Sequence, residues 1–274
     1  ALNTNLLKNS DFFTSAFPAE YGNANSGVFD IGFRNGNSKK RETTVQLGVI
    51  TGLEATTEGP INKEKGSSYL VGYRYSLAGV AQAAGVDLGG RRMITKQNLT
   101  FKLNGSTTKF GKFSLFGILA SSTINIDGGN SNTLYGNGNQ VDFASKIGIL
   151  GLNHFKQINS KSYMSSTIGL NYTNNTINSY DFDRTTSTSF TKEISDVGKT
   201  GYNFSTTYNL KINSKVFFKA GIQDELMGLD LFYKTKQNSN DAWKQVWDTN
   251  SYTNLAQAFV HSKFNLSDQL TLNA

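Results

Sequence analysis

The sequence contains no cysteine, so neither a disulfide frame nor a thiolate metal site is available to its fold. Proline is scarce as well, at 2 residues against 27 glycines, which favours strands over a proline-punctuated loop protein. Long apolar runs are also missing. The nearest, Phe113 to Ala120, falls far short of the ~20 residues that a membrane helix needs, and a helical span is excluded. Only 37% of the residues are hydrophobic and the mean hydropathy is -0.38, whereas a soluble barrel of this size buries many long aliphatics.

Histidine is nearly absent too. His154 and His261 each stand beside a strand aromatic, with no Ser, Asp or Glu at a fixed spacing, so triad and zinc chemistry lack their parts. The sequence therefore predicts neither an enzyme nor a cofactor. Lys and Arg number 27 against 20 Asp and Glu, a formal charge of +7, but they are scattered and form no basic stripe with stacking aromatics. Nucleic acid is not an expected partner. Ala1 to Ser10 lacks the basic start and apolar core of a signal peptide, so the expectation is either a mature fragment or a leader that lies upstream.

What the chain does contain is alternation. After a compact polar turn region and one short strand over Phe17 to Asn37, every second residue turns apolar. Val45, Leu47, Val49, Leu53 and Ala55 oppose Gln46, Gly48, Gly52, Glu54 and Thr56, with a tight turn expected near Thr51-Gly52. Tyr69, Val71, Tyr73 and Tyr75 then oppose Gly72, Arg74 and Ser76. Similar runs continue through Leu99 to Leu103, Phe113 to Ile126, Met164 to Tyr172, Tyr202 to Ile212, Val216 to Ile222 and Ala256 to Leu266. Around Ile147 and Ile149 the apolar parity switches at Gly151, which predicts a β-bulge there. About ten to eleven strands result, with no helix of consequence.

The connections alternate in length. Short turns are predicted at Asn62 to Gly66, Gly105 to Gly111, Ile158 to Lys161, Ile212 to Lys215 and Leu266 to Gln269. Long Asn, Ser, Thr and Gly-rich loops are predicted at Ala78 to Arg92, Thr123 to Asp142, Asn174 to Lys199 and Gln237 to Ser251. Short turns at one end, long loops at the other and strands apolar on one face define a transmembrane outer-membrane β-barrel, all-β and antiparallel. Its wall would meet outer-membrane lipid. Phe110, Phe113, Phe155, Tyr163 and Phe264, beside the short turns, are placed where an aromatic girdle belongs. A soluble β-helix or sandwich shares the alternation but has no reason to gather its long loops at one end.

The run Phe17-Pro18-Ala19-Glu20-Tyr21-Gly22-Asn23-Ala24-Asn25-Ser26-Gly27-Val28-Phe29-Asp30-Ile31 resembles the end of the plug domain in TonB-dependent outer-membrane receptors of the Bacteroidetes type. Thr56 to Ile61 and Tyr69 to Ser76 are similar to early barrel strands of the same family, and the resemblance covers roughly residues 1 to 80. It implies the C-terminal part of a plug and its linker over residues 1–40, then the N-terminal half of the barrel over 41–274. It also implies energy-coupled nutrient uptake in a Gram-negative outer membrane, with the TonB complex and a surface lipoprotein as partners. The plug exit departs from starch-utilisation-type members, so no glycan substrate is implied. A docking scaffold for secretion, built on the same barrel, is the alternative.

Within that frame, Glu20 and Arg34 flank the plug-like strand, while Glu54 and Arg74 fall on the polar parity of the wall. These four are the expected plug–barrel contacts, with Glu20 or Arg34 reaching Arg74, Glu54 or a nearby polar group. Trp243, Trp247 and Tyr252 belong to an external loop region and are candidates for ligand contact or for an outer girdle. Asp127, Asn130, Asn132, Asn137, Asn139 and Asp142 could wrap Ca²⁺ through hard oxygens, although two carboxylates make a poor cage.

Overall fold

The structure is a computed structural model that describes residues 3–14, 17–24, 26–48, 52–76, 78, 81, 84–85, 92–127, 140–183, 186, 188–267 and 269–274. The N-terminal segment has two single-turn 3-10 helices, Thr4–Leu6 and Ala19–Tyr21, and a two-stranded antiparallel ribbon of β1 (Asp11–Phe13) and β2 (Val28–Asp30). Phe12 stacks on Phe29 across the ribbon, with ring centroids 4.2 Å apart.

Beyond it, one antiparallel sheet of 11 strands follows in strict chain order. These are β3 (Glu42–Gly48), β4 (Gly52–Asn62), β5 (Ser67–Tyr75), β6 (Arg92–Thr107), β7 (Gly111–Asp127), β8 (Gln140–Asn159), β9 (Ser162–Asp183), β10 (Thr188–Lys211), β11 (Val216–Thr235), β12 (Lys244–Asn265) and β13 (Thr271–Asn273). Each strand pairs with its sequence neighbours, and among the described residues no pairing joins β3 to β13. The strands lengthen along the chain to 24 residues in β10. At ~3.3 Å per residue and a tilt of ~35–45°, such a strand rises about 55–65 Å, more than twice the ~25 Å apolar band of a membrane barrel.

The two faces differ sharply in chemistry. The N-terminal segment lies on the face bearing Glu54, Thr56, Leu70, Gly72, Asn98 and Thr100, all buried; this is the inner face. Opposite them, Ala55, Tyr73, Leu99 and Leu119 share one register row on the outer face. Leu6 and Leu70 are the only buried large hydrophobics among the described residues, whereas Leu47, Ile168 and Val260 are 70, 59 and 59% exposed. Most of the wall's exposed apolar surface thus points away from the protein, as a lipid-facing wall requires and a soluble fold does not tolerate.

The short turns fall where the sequence predicts them, and the repeated tetrapeptide Ile-Asn-Ser-Lys closes two of them with related chemistry. Asn159 Oδ1 accepts from the Lys161 amide at 2.9 Å, and Asn213 Oδ1 accepts from the amides of Lys215 at 2.8 Å and Val216 at 2.9 Å. Gly111 opens β7 with φ +91, and a Cβ there would sit 2.3 Å from the Phe155 carbonyl oxygen.

Three expectations are corrected. Pairing runs through Gly151 with no register shift, so there is no bulge at that position; the shift on β8 lies between Gln157 and Asn159. Gly151 lies under the Phe116 ring, where a Cβ would come within 2.3 Å of Cζ, and the apolar parity changes because the inner face itself turns apolar beyond that level. Second, Asn174 to Lys199 is mostly paired strand, with β9 and β10 joined by residues 184–187, and β12 begins as early as Lys244 within the expected loop Gln237 to Ser251. Their polar composition reads as loop because strands standing clear of a membrane need no apolar outer face. Third, Phe155 and Tyr163, 5.1 Å apart, lie on the inner face, while Phe113 and Phe264 stay on the outer one. Distance from a turn does not set the side on which a residue falls.

Candidate functional site

The site is built where the N-terminal segment meets the inner wall. The segment is anchored by backbone first: the Arg34 amide donates to the Leu6 carbonyl at 2.9 Å and the Lys8 amide to the Gly32 carbonyl at 2.8 Å, tying its two ends together. That pairing aims the Arg34 side chain at β4. Its Nη1 and Nη2 donate to Glu58 Oε2 and Oε1 at 2.7 and 2.6 Å, and its Nε donates to the Asn5 carbonyl at 2.7 Å. Asn37 adds a third bond to the same carboxylate from its amide, at 2.7 Å. The guanidinium is held charged above its ordinary range, chiefly by the Glu58 hydrogen bonds and against the opposing effect of burial.

Packing continues this anchor sideways along the wall. Leu6 is 1% exposed and lies over Gly72 of β5, where a Cβ would stand 2.6 Å from Leu6 Cδ1. Lys102 Nζ on β6 donates to the Phe33 carbonyl at 2.8 Å, and the Phe33 ring tilts against Phe116 of β7 at 6.2 Å. A second anchor lies on a distant strand. Glu20 pairs with Lys219 of β11, and Gln223 Nε2 donates to the Glu20 carbonyl at 3.1 Å. The neighbouring Tyr21 phenol is pushed up to about 12 by burial first, then by the negative charges of Asp30 and Glu20.

The predicted residues are thus redistributed. Arg34 meets Glu58 and Glu20 meets Lys219, while Glu54 and Arg74, opposite each other in the β4–β5 register, are paired with one another on the inner face. Parity could have pointed to Glu58, two register steps from Glu54, had Glu58-Gly59-Pro60 not read as a strand end. No sequence signal links Glu20 to Lys219, 199 residues away.

Nearer the long connections, Trp243 lies over the ammonium groups of Lys234 and Lys236, at 4.7 and 5.3 Å. Trp247 opposes Tyr233 on the inner face. Tyr252, 65% exposed, opposes Gly228 on the outer face, so it does not join the two tryptophans. Asp142 accepts from Asn125 Nδ2 at 2.9 Å, and Asp127 ends β7. Asn130, Asn132, Asn137 and Asn139 lie outside the described residues, and among the described ones no acidic or histidine cluster could hold a metal ion. His154 stacks on Phe113 at 4.6 Å and has its Nε2 2.7 Å from the Phe110 carbonyl oxygen.

No family model matches the sequence, and no curated protein does. Solved structures do. The open form of the ferric-catecholate import receptor Fiu from E. coli K12 superposes with TM-score 0.61 at 11% identity, over 96% of this chain and 58% of that one. Its closed form gives 0.51 at 11% identity over 90% and 45%. The ferric yersiniabactin uptake receptor FyuA from Yersinia pestis gives 0.50 at 10% identity over 91% and 48%. The fold is that of these outer-membrane β-barrel receptors. The chain spans 58% of the length of the Fiu chain it matches.

Proposed function

We propose that this protein performs TonB-dependent, energy-coupled uptake of a scarce nutrient across a Gram-negative outer membrane, as a receptor of the Bacteroidetes type. Residues 1–40 act as the end of the plug and its linker, and 41–274 as barrel wall. The observation that carries this reading is the N-terminal segment seated on the inner wall through Arg34–Glu58 and Glu20–Lys219. A passive channel has no use for such a seat. The names of Fiu and FyuA, an import and an uptake receptor, support transport.

Ion pairs suit a plug that must hold and then yield. Water reaches the Arg34 side chain, which is 34% exposed, so the pair is modest in strength and re-forms readily. Force from the TonB complex would separate the two anchors, a surface lipoprotein would assist capture, and Trp243 and Trp247 at the rim would touch the ligand. In cells producing the full-length receptor, Arg34→Ala should raise sensitivity to large antibiotics above that of Lys40→Ala, whose target lies in the linker and pairs with exposed Glu42. Equal leak through both variants would remove the latch from the proposal.

A further inference from the structure

The inner wall reverses its polarity above the plug contacts. Along β6, Asn98 and Thr100 are buried polar residues beside the N-terminal segment, but four residues past Asn98, about 13 Å farther from the short turns, stands Ile94. Ile94 opposes Ile124, which opposes Phe143, which opposes Ile177, and the row continues through Ser195 to Tyr233 and Trp247. Seven neighbouring strands thus set one cross-strand apolar row on the inner face, and it is interrupted only by Ser195. Ile94, Ile177 and Trp247 remain 38, 36 and 46% exposed.

The outer face at the same level is mostly polar. Thr95, Thr123, Ala144, Thr176, Asp196, Phe232 and Asp248 are the next register row, on the outer parity of the apolar belt, and all but Ala144 and Phe232 are polar. Lipid therefore does not reach this height. An apolar row left facing inward has no lipid to cover it, and it continues the line of the Phe33–Phe116 contact toward the open end. Isoleucine and phenylalanine side chains offer no hydrogen bonds to sugar hydroxyls, so a glycan laid here would be desolvated without return. The flanks are polar and carry both signs: Lys96 lies on the adjoining inner row, and Glu193 accepts from the Tyr233 hydroxyl at 3.3 Å.

We propose that this row is a ligand track, and that the transported nutrient is an elongated amphipathic small molecule whose apolar body lies on Ile124, Phe143 and Ile177 and ends against Trp247. The inference rests on the uptake reading and names the substrate class within it. At ~4.8 Å per strand the track is about 29 Å long, room for a multi-ring or branched-chain molecule.

The test uses the full-length receptor in nanodiscs on a Trp243→Phe background, with cholate below its micellar range as probe and maltohexaose as comparator. Cholate should saturably change the part of the tryptophan emission that is lost in Trp247→Phe, and maltohexaose should not. Phe143→Ser and Ile177→Ser should each raise the half-saturation concentration about tenfold, with Thr176→Ser on the outer face unchanged. Heat-modifiable mobility identifies folded variants, and Ile124→Thr replaces any that fail. A cholate response no different from empty nanodiscs, saturation by maltohexaose, or indifference to every inner variant would each overturn the track. Cholate binding without an Arg34-dependent leak would instead leave the track standing and count against the uptake reading.

Discussion

Arg34 and Glu58 meet through two parallel hydrogen bonds, across 24 residues of sequence and across the boundary between the N-terminal segment and the wall. A fork of this kind depends on planarity as well as charge, so Arg34→Lys should recover only part of what Arg34→Ala loses. With Arg34 about one-third exposed, we expect a coupling of about 1 kcal/mol between the two residues in a double-mutant cycle. Protease cleavage of residues 3–37 in rising urea measures it. Strict additivity of the single variants would mean that the fork holds nothing.

The faces of β5 make a second expectation. Val71→Arg puts a charge on the lipid side and should cost ~2–4 kcal/mol near the midplane, read as lost heat-modifiable mobility. Gly72 is not the roomy inner site that strand parity alone suggests, because Leu6 already occupies the space beside it. Gly72→Ala should leave the barrel folded yet expose residues 3–8 to protease. Unchanged protection there would show that Leu6 finds another seat at no cost.

Alkaline titration tests the packing around Tyr21. Its phenol titrates near 12 in the folded segment against an ordinary value of 10.0, so the folded state keeps its proton longer. The contribution is intact below pH ~10 and is lost as pH rises toward ~12, because the unfolded segment ionises first. Absorbance at the phenolate band should show a late-titrating component that is lost in Tyr21→Phe. A difference spectrum with its midpoint near 10 would contradict the burial of this ring.

Expressed by itself, the stretch 1–274 should aggregate. Its sheet has two outermost strands, β3 and β13, that pair on one side only among the described residues, and lipid cannot satisfy unpaired backbone groups. A monomeric, protease-resistant particle would show that the sheet closes or that its edges are capped.

The alternation of Tyr69 to Tyr75, the scarcity of apolar runs and the turn asparagines determined the strands, their order and the face that meets lipid. Each of these is local, since side chains alternate with period two and a turn needs only its own few residues. Polar hairpins such as Asn174 to Lys199 escaped the pattern because above the membrane neither face has to be uniformly apolar. Only the tertiary structure decided that Glu20 finds Lys219, that Arg34 prefers Glu58 to Glu54, and that Leu6 fills the space beside Gly72. It also decided that Ile94, Ile124, Phe143 and Ile177, scattered through four strands, fall into one inner row. Register depends on summed pairing across the whole sheet, and a one-residue slip in any of these strands would have sent its member of the row outward.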